Sequence, residues 1–305
     1  MKKRLMAAVL STVMAATMLV TGSISVQAAD AAAANDPAVE LIFTSVSVSG
    51  DSHTEAMYAF ADKVEELSGG SVTCKCYDNG SLFSSENEFD ALLNGDADLA
   101  YISFPTIATQ IPSYSMFASG YLFSSYEHMT SVLNGEIGTE KIRPEIEEKL
   151  NIKPLSSFYL GSRVINTREK EVNCYDDMSG LLLRMPNSEA WLFLGEALGA
   201  NPTPLSFSEL YTALQTGAVD AQDNPLPSIE SAKFYEVTKY IAITNHVVDS
   251  IMPCINGDTW NEMTEAQQEA VTEAMEYARD VNDTARIDRE AELIKFFEEQ
   301  GLTVT

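Results

Sequence analysis

Positive charge is what this chain lacks. Its 305 residues hold 19 Lys and Arg against 45 Asp and Glu, a formal charge of −26. Nucleic acid and anionic membrane surfaces repel such a field, which argues against both as partners. Histidine is equally scarce. His53, His128 and His246 are the whole supply, and none has a second His or a Cys two to five residues on. No H-E-x-x-H or paired C-x-x-C occurs, so neither a metal nor a cofactor is expected. A Walker A loop, a G-x-G-x-x-G turn and a G-x-S-x-G elbow are also missing. Carboxylates are numerous enough to leave a glycosidase-type pair open, but nothing positive supports one. The four cysteines are Cys74, Cys76, Cys174 and Cys254. The first two sit two apart on an expected strand and should not bond to each other; free thiols and other bridges both stay open.

The chain opens with Lys2, Lys3 and Arg4, an apolar run from Met6 to about Val20, and Val26-Gln27-Ala28. That is the pattern of a secretory signal peptide at 1–28. The run is shorter than the ~20 residues a span needs, and no later stretch is long and apolar enough to cross a bilayer. Residues 29–38 read as an Ala-rich linker. Losing the three basic residues leaves the exported chain at −29.

Beyond the linker, strand and helix patterns alternate. Residues 39–48 read as a strand, 52–67 as a helix, 71–77 as a strand, 85–93 as a short helix and 99–103 as a buried strand. This βαβαβ opening predicts an α/β fold with sites at the carboxyl ends of its strands. Helix 139–150, strands 152–160 and 163–166, strand 181–185, helices 188–198 and 207–216 and strand 218–222 continue the style. Residues 264–300 carry a long helical repeat through Val271, Ala274, Met275, Ala278, Val281 and Ala285. Its Ala-rich seam suits a helix lying across the body of the protein better than a coiled coil. Residues 302–305 read as a strand.

Two arginines stand out. The exported part holds seven, and five lie in charged, solvated-looking stretches. Arg184 instead ends the run Leu181-Leu182-Leu183, and Arg163 follows Leu160-Gly161-Ser162. A guanidinium keeps its proton, so its burial is costly unless an anion meets it. An internal acid from elsewhere in the chain and a ligand carboxylate both remain open as that anion. Asn224 sits before Pro225 at the end of an expected strand, where an amide can donate and accept. Phe207 opens a helix, either as a pocket wall or as a hydrophobic staple.

The stretch PLSFSELYTALQTGAVDAQDNP at 204–225, followed by SAKFYEVTKYIAITNH at 231–246, closely resembles the substrate-binding proteins of TRAP (tripartite ATP-independent periplasmic) transporters, the DctP family. GSR at 161–163, GLLLRMP at 180–186 and NGSLFSSENEFDALLNGDADLA at 79–100 fit the same pattern. The resemblance implies a two-domain periplasmic-binding-protein-like α/β fold with crossing strands and a long domain-spanning helix. Domain I would comprise 39–160 plus about 250–289, and domain II 161–249 plus about 290–305. It implies Arg184 as the clamp on a ligand carboxylate, with Arg163, Asn224 and Phe207 beside it. Val46, Ser47, Tyr101 and Ser103 would line the opposite wall. The partners implied are a small carboxylate ligand and the membrane permease subunits, with no membrane insertion after signal cleavage. Family members also continue some tens of residues past the position of Thr305.

There are departures. The usual Gly-Gln-Glu-Asn-Pro is Ala221-Gln222-Asp223-Asn224-Pro225 here, and Leu182 stands where Lys is common. No carboxylate and Arg accompany Ser103 and Thr106, which argues against sialic acid. The expectation is therefore a secreted receptor, not an enzyme, capturing a small organic acid outside the cytoplasmic membrane. The alternatives are a secreted α/β enzyme acting on an acidic metabolite and a ligand-binding sensor subunit.

Overall fold

The computed structural model describes residues 34–305. The expected signal peptide and residues 29–33 of the linker lie outside the described residues. Strand β1 (Val39–Thr44) lies between β2 (Val72–Tyr77) and β3 (Leu99–Ile102), parallel to both. Helix α1 (Ser52–Leu67) makes the first crossover. Asp51 caps it, accepting from the His53 amide at 2.9 Å. Its face Met57, Phe60, Val64 and Leu67 packs on Leu41 and Phe43 of the sheet. Three short helices come next: α2 (Glu88–Asn94), where one was expected at 85–93, and α3 (Phe104–Ile107) and α4 (Tyr126–Leu133), which the sequence pattern did not show. The helix expected from residue 139 begins as a π-turn at Gly138–Ile142 and becomes α5 (Arg143–Leu150).

After β4 (Ile152–Pro154), the chain crosses into a second sheet section on β5 (Phe158–Thr167). There β6 (Leu182–Met185), α6 (Glu189–Ala197), β7 (Asn201–Pro204), α7 (Phe207–Thr216), β8 (Ala221–Pro225) and α8 (Leu226–Ser231) build a second α/β layer. The return crossing is β9 (Tyr240–Asn256), 17 residues long. It pairs antiparallel with β5 along most of its length and with β3 and β4 at its end. The strand order β2-β1-β3-β9-β5-β8-β6-β7 thus runs through both sections. Residues 240–256 carry no strand in the sequence pattern. Asn245, His246 and Asp249 interrupt the apolar alternation, and the latter two are buried as polar partners of the site.

The chain closes with α9 (Gly257–Glu262), α10 (Glu265–Glu299) and β10 (Thr303–Val304), which pairs with β9. The 35-residue α10 starts at a capping box formed by Thr264 and Gln267. Val271, Ala274, Met275 and Ala278 pack into the first section's core, and Leu293 and Phe297 into the second's. The helix therefore spans both, as expected. Between these apolar stretches its buried face turns polar, with Asn282, Asp283 and Arg286.

That polar interval answers a backbone problem. Strand β5 bulges between Tyr159 and Gly161, so its groups there leave the ladder. Helix α10 satisfies them. Asp283 accepts from the Tyr159 amide at 2.8 Å, and Glu290 from the Ser162 amide at 3.0 Å. Asn282 donates to the Tyr159 carbonyl and Arg286 to the Leu160 carbonyl, each at 2.9 Å. Among the described residues no helix is long and apolar enough to cross a membrane, and all four cysteines are free thiols.

Gly161 makes the bulge possible. Its φ is +119°, and a Cβ there would stand 2.5 Å from Cβ of Pro225. Gly161→Ala is expected to lower stability by about 3 kcal/mol through backbone strain and overpacking. Urea denaturation of the two proteins measures the difference.

Candidate functional site

A cleft of about 310 Å³ opens between the two sheet sections, within the size range of small-molecule sites. All eight residues singled out from the sequence line it. Val46 and Ser47 follow β1, Tyr101 sits on β3 and Ser103 just beyond it. Arg163, Arg184 and Asn224 come from β5, β6 and β8, and Phe207 starts α7.

The two arginines differ in a way their sequence surroundings do not show. Arg163 is met by internal acids: Nε donates to Asp249 at 2.7 Å, and Nη1 to the Asp223 carbonyl at 2.9 Å and carboxylate at 3.3 Å. Its guanidinium also lies over the Trp191 ring, 4.3 Å from the centroid. Burial works against its charge, but Asp223 and Asp249 outweigh that and raise its pKa. Asp223 is itself fully buried and bonded to His246 Nε2 at 3.2 Å. Burial pushes the Asp223 carboxyl up, yet Arg163 and His246 pull it below its ordinary value. Asp249 is raised, because burial outweighs the one guanidinium it shares.

Arg184 is 3% exposed, and among the described residues no carboxylate lies within ion-pair distance of it. Nε donates to the Leu205 carbonyl at 2.8 Å; the two terminal nitrogens have no hydrogen-bond partner among the described residues. Burial lowers its pKa to about 10, opposed by the more distant Asp223 and Glu86 and aided by Arg163. Arg184 is thus a buried cation aimed at the cleft without a counter-ion.

The other residues are held in place by the protein. The Asn224 amide donates to Gln222 at 2.5 Å, and Gln222 donates to Asn166 at 3.0 Å. The Tyr101 hydroxyl donates to the His53 carbonyl at 3.0 Å. Ser103 and Thr106 share a hydroxyl contact at 2.9 Å. Phe207 packs edge-on against Phe234, with centroids 5.6 Å apart. Sequence reasoning missed Asp51, Glu86, Glu88, Trp191 and Arg286, which also line the cleft. Asp223 and Asp249, which hold Arg163 from behind, were equally hidden among 45 acids.

The model of the DctP family, bacterial extracellular solute-binding protein family 7, matches residues 43–305. The chain belongs to this family. Its members are receptors for solutes, not enzymes. The sialic acid-binding periplasmic protein SiaP of Vibrio cholerae is 35% identical over 80% of this chain and 76% of its own. A TRAP periplasmic solute-binding protein of Roseobacter denitrificans, solved with bound 3-deoxy-D-manno-oct-2-ulosonic acid, is 39% identical. It superposes with a TM-score of 0.83 over 88% of each chain. The sugar acid binding protein DctPAm of Advenella mimigardefordensis, in complex with galactonate, is 28% identical. Its TM-score is 0.84, covering 88% of this chain and 86% of that one.

This DctP-family chain carries a second buried charge cluster at the edge of the cleft. Arg286 Nη2 donates to Asp51 at 2.7 Å, and its Nε donates to His53 Nδ1 at 3.1 Å. Ser231 of α8 reaches the other Asp51 oxygen at 2.8 Å, joining the two sheet sections. Arg286 is 1% exposed, which corrects the reading of it as a solvated helix residue. The helix-face pattern around it is charged, but that face points at Asp51 and at the β5 bulge.

Burial, aided by Arg286 and opposed by Asp51, takes His53 from 6.5 down to about 4. Between those values the unfolded chain binds a proton that the folded chain does not. This contribution is complete above about pH 6.5 and is lost as pH falls towards 4, up to about 3 kcal/mol. Urea denaturation at pH 7 and pH 4.5 should show a smaller pH-dependent loss in His53→Asn than in the wild type. An equal loss would place that dependence elsewhere.

Proposed function

We propose that this chain is exported by its amino-terminal signal peptide and binds a small hydroxylated monocarboxylate in the cleft. In this reading the acid's carboxylate docks on Arg184. The observation that carries it is the unpaired, nine-tenths-buried guanidinium. A site built with a cation and no counter-ion has its missing charge supplied by the ligand. Arg163 assists with its one uncommitted nitrogen, Nη2, and Asn224 with the part of its amide that Gln222 leaves free. Phe207 packs against the ligand's carbon chain, and Val46, Ser47, Tyr101 and Ser103 face it from the other side.

Two further features support this ligand class. Arg163 and Arg286 are already matched by acids, so the cleft offers one uncompensated positive charge and suits one carboxylate. The relatives solved with galactonate and with 3-deoxy-D-manno-oct-2-ulosonic acid hold single acids rich in hydroxyls. In this reading domain I comprises 39–160 plus about 250–289 and domain II 161–249 plus about 290–305, joined by the crossing strands and α10. Closure of these domains over the ligand would be a hinge motion, with the ligand favouring the closed state. The closed receptor delivers the acid to the membrane permease subunits of a TRAP transporter.

A thermal-shift screen of residues 29–305 against sugar acids, short hydroxy acids and dicarboxylates tests the reading. A ligand at a hundred times its Kd adds about 2.7 kcal/mol, which raises the melting point by about 5–10 °C for a chain of this size. Arg184→Ala should lose the shift, with affinity reduced at least about a hundredfold. Lys149→Ala, whose ammonium pairs with Glu145 on the exposed face of α5, should keep it. Equal affinity in both variants would end the role assigned to Arg184.

A further inference from the structure

The wall facing the arginines contains a carboxyl that the fold does not use. Glu88 is the first residue of α2 and lines the cleft. It is 5% exposed, its Oε1 is fully enclosed, and no hydrogen bond reaches that atom. The buried Thr44 hydroxyl lies beside the carboxyl and pulls against the effect of burial without overcoming it, and Oε1 is left without a partner. Leaving such a group unsatisfied is costly, and native interiors seldom do so without a use for it. Among the described residues no cation pairs with Glu88: Arg163, Arg184 and Arg286 make their contacts elsewhere. Its neighbours along the same segment, Glu86 and Asp90, are acids and exposed.

We infer that Glu88 is a specificity-determining residue of this cleft, hydrogen-bonding a hydroxyl of the bound acid and disfavouring a second carboxylate at that end. The inference rests on the proposed docking of the acid on Arg184. Burial pushes the Glu88 carboxyl well above the ordinary carboxylate range. A protonated carboxyl donates one hydrogen bond and accepts another, which matches the two capacities of an alcohol. A second ligand carboxylate would instead meet the exposed acids Glu86 and Asp90 beside it, with no cation to offset it. A site built to hydrogen-bond a hydroxyl discriminates strongly against an analogue that lacks it, because its own polar group is then left unpaired.

Calorimetric titration of the wild type, Glu88→Gln, Glu88→Leu and Arg184→Ala tests this. The probes are D-galactonate, D-glucuronate, 3-deoxy-D-manno-oct-2-ulosonic acid, hexanoate and succinate. The wild type should prefer a hydroxylated monocarboxylate over hexanoate and succinate. Glu88→Leu should shrink the preference over hexanoate by at least about tenfold. Glu88→Gln, which can still donate and accept, should stay within about threefold of the wild type, an effect of about 0.6 kcal/mol. Should leucine overpack the site, Glu88→Ala makes the same comparison. An unchanged preference in the leucine or alanine variant overturns the assignment of Glu88 and leaves Arg184 standing. A wild type that binds none of the acids overturns the carboxylate reading and Glu88 with it. Loss of all binding in Arg184→Ala, beside a selective loss in Glu88→Leu, supports both.

Discussion

A guanidinium that is buried, charged and unpaired is the constraint on which the arrangement around the cleft depends. Arg184 cannot shed its proton at neutral pH even with its pKa lowered to about 10. Any carboxylate within reach would pair with it and close the site. The neighbouring strands keep their acids occupied. Asp223 is held by Arg163 and His246, and Asp249 by Arg163. Arg163 therefore acts first as a sink for internal negative charge. Its stacking on Trp191 fixes the guanidinium plane, and its acid contacts run through Nε and Nη1, leaving Nη2 outside them.

The positions of those groups depend in turn on the crossing between sheet sections. Arg163 lies two residues past Gly161, within the irregular part of the β5–β9 pairing. A regular ladder would satisfy the backbone there from β9 alone. The bulge instead transfers four backbone contacts to side chains of α10. The long helix is thereby tied to the strand that carries Arg163, and through Arg286 to Asp51 and Ser231 on opposite sides of the cleft. Polar residues in the middle of an otherwise apolar helix face follow directly from that task.

The elements were legible where periodicity was strong. The opening βαβαβ order, α7 and the long α10 follow from apolar spacing, because each buries one face on a single core. Strand β9 was not legible. It serves two sheet sections, and its polar residues face the charge cluster, which breaks the two-residue alternation. Arg163, Arg184, Phe207 and Asn224 were legible from the family pattern of residues 161–225, and the facing wall only as what that resemblance implied. Their electrostatic states were not. Leu-Gly-Ser before Arg163 and three leucines before Arg184 look equally apolar, yet one arginine meets two acids and the other none. That distinction arises from Asp223 and Asp249, whose approach to Arg163 depends on how β5, β8 and β9 align. Arg286 and Glu88 were hidden for a related reason: each sits in a charged stretch, and only the tertiary packing turns it inward.

The scarcity of positive charge then becomes compatible with binding an anion. A chain at −26 repels an acid at long range, but at physiological ionic strength that field is screened over about 8 Å. Within the cleft the order of strengths reverses. Solvent is largely excluded, the effective dielectric falls, and one nearby guanidinium outweighs many distant carboxylates. A protein built this way needs few basic residues, provided that each buried one has a fixed account of its partners. Two of the three cleft arginines are matched within the protein. The third is left over, and its single charge sets the single charge of the acid proposed to fill the site.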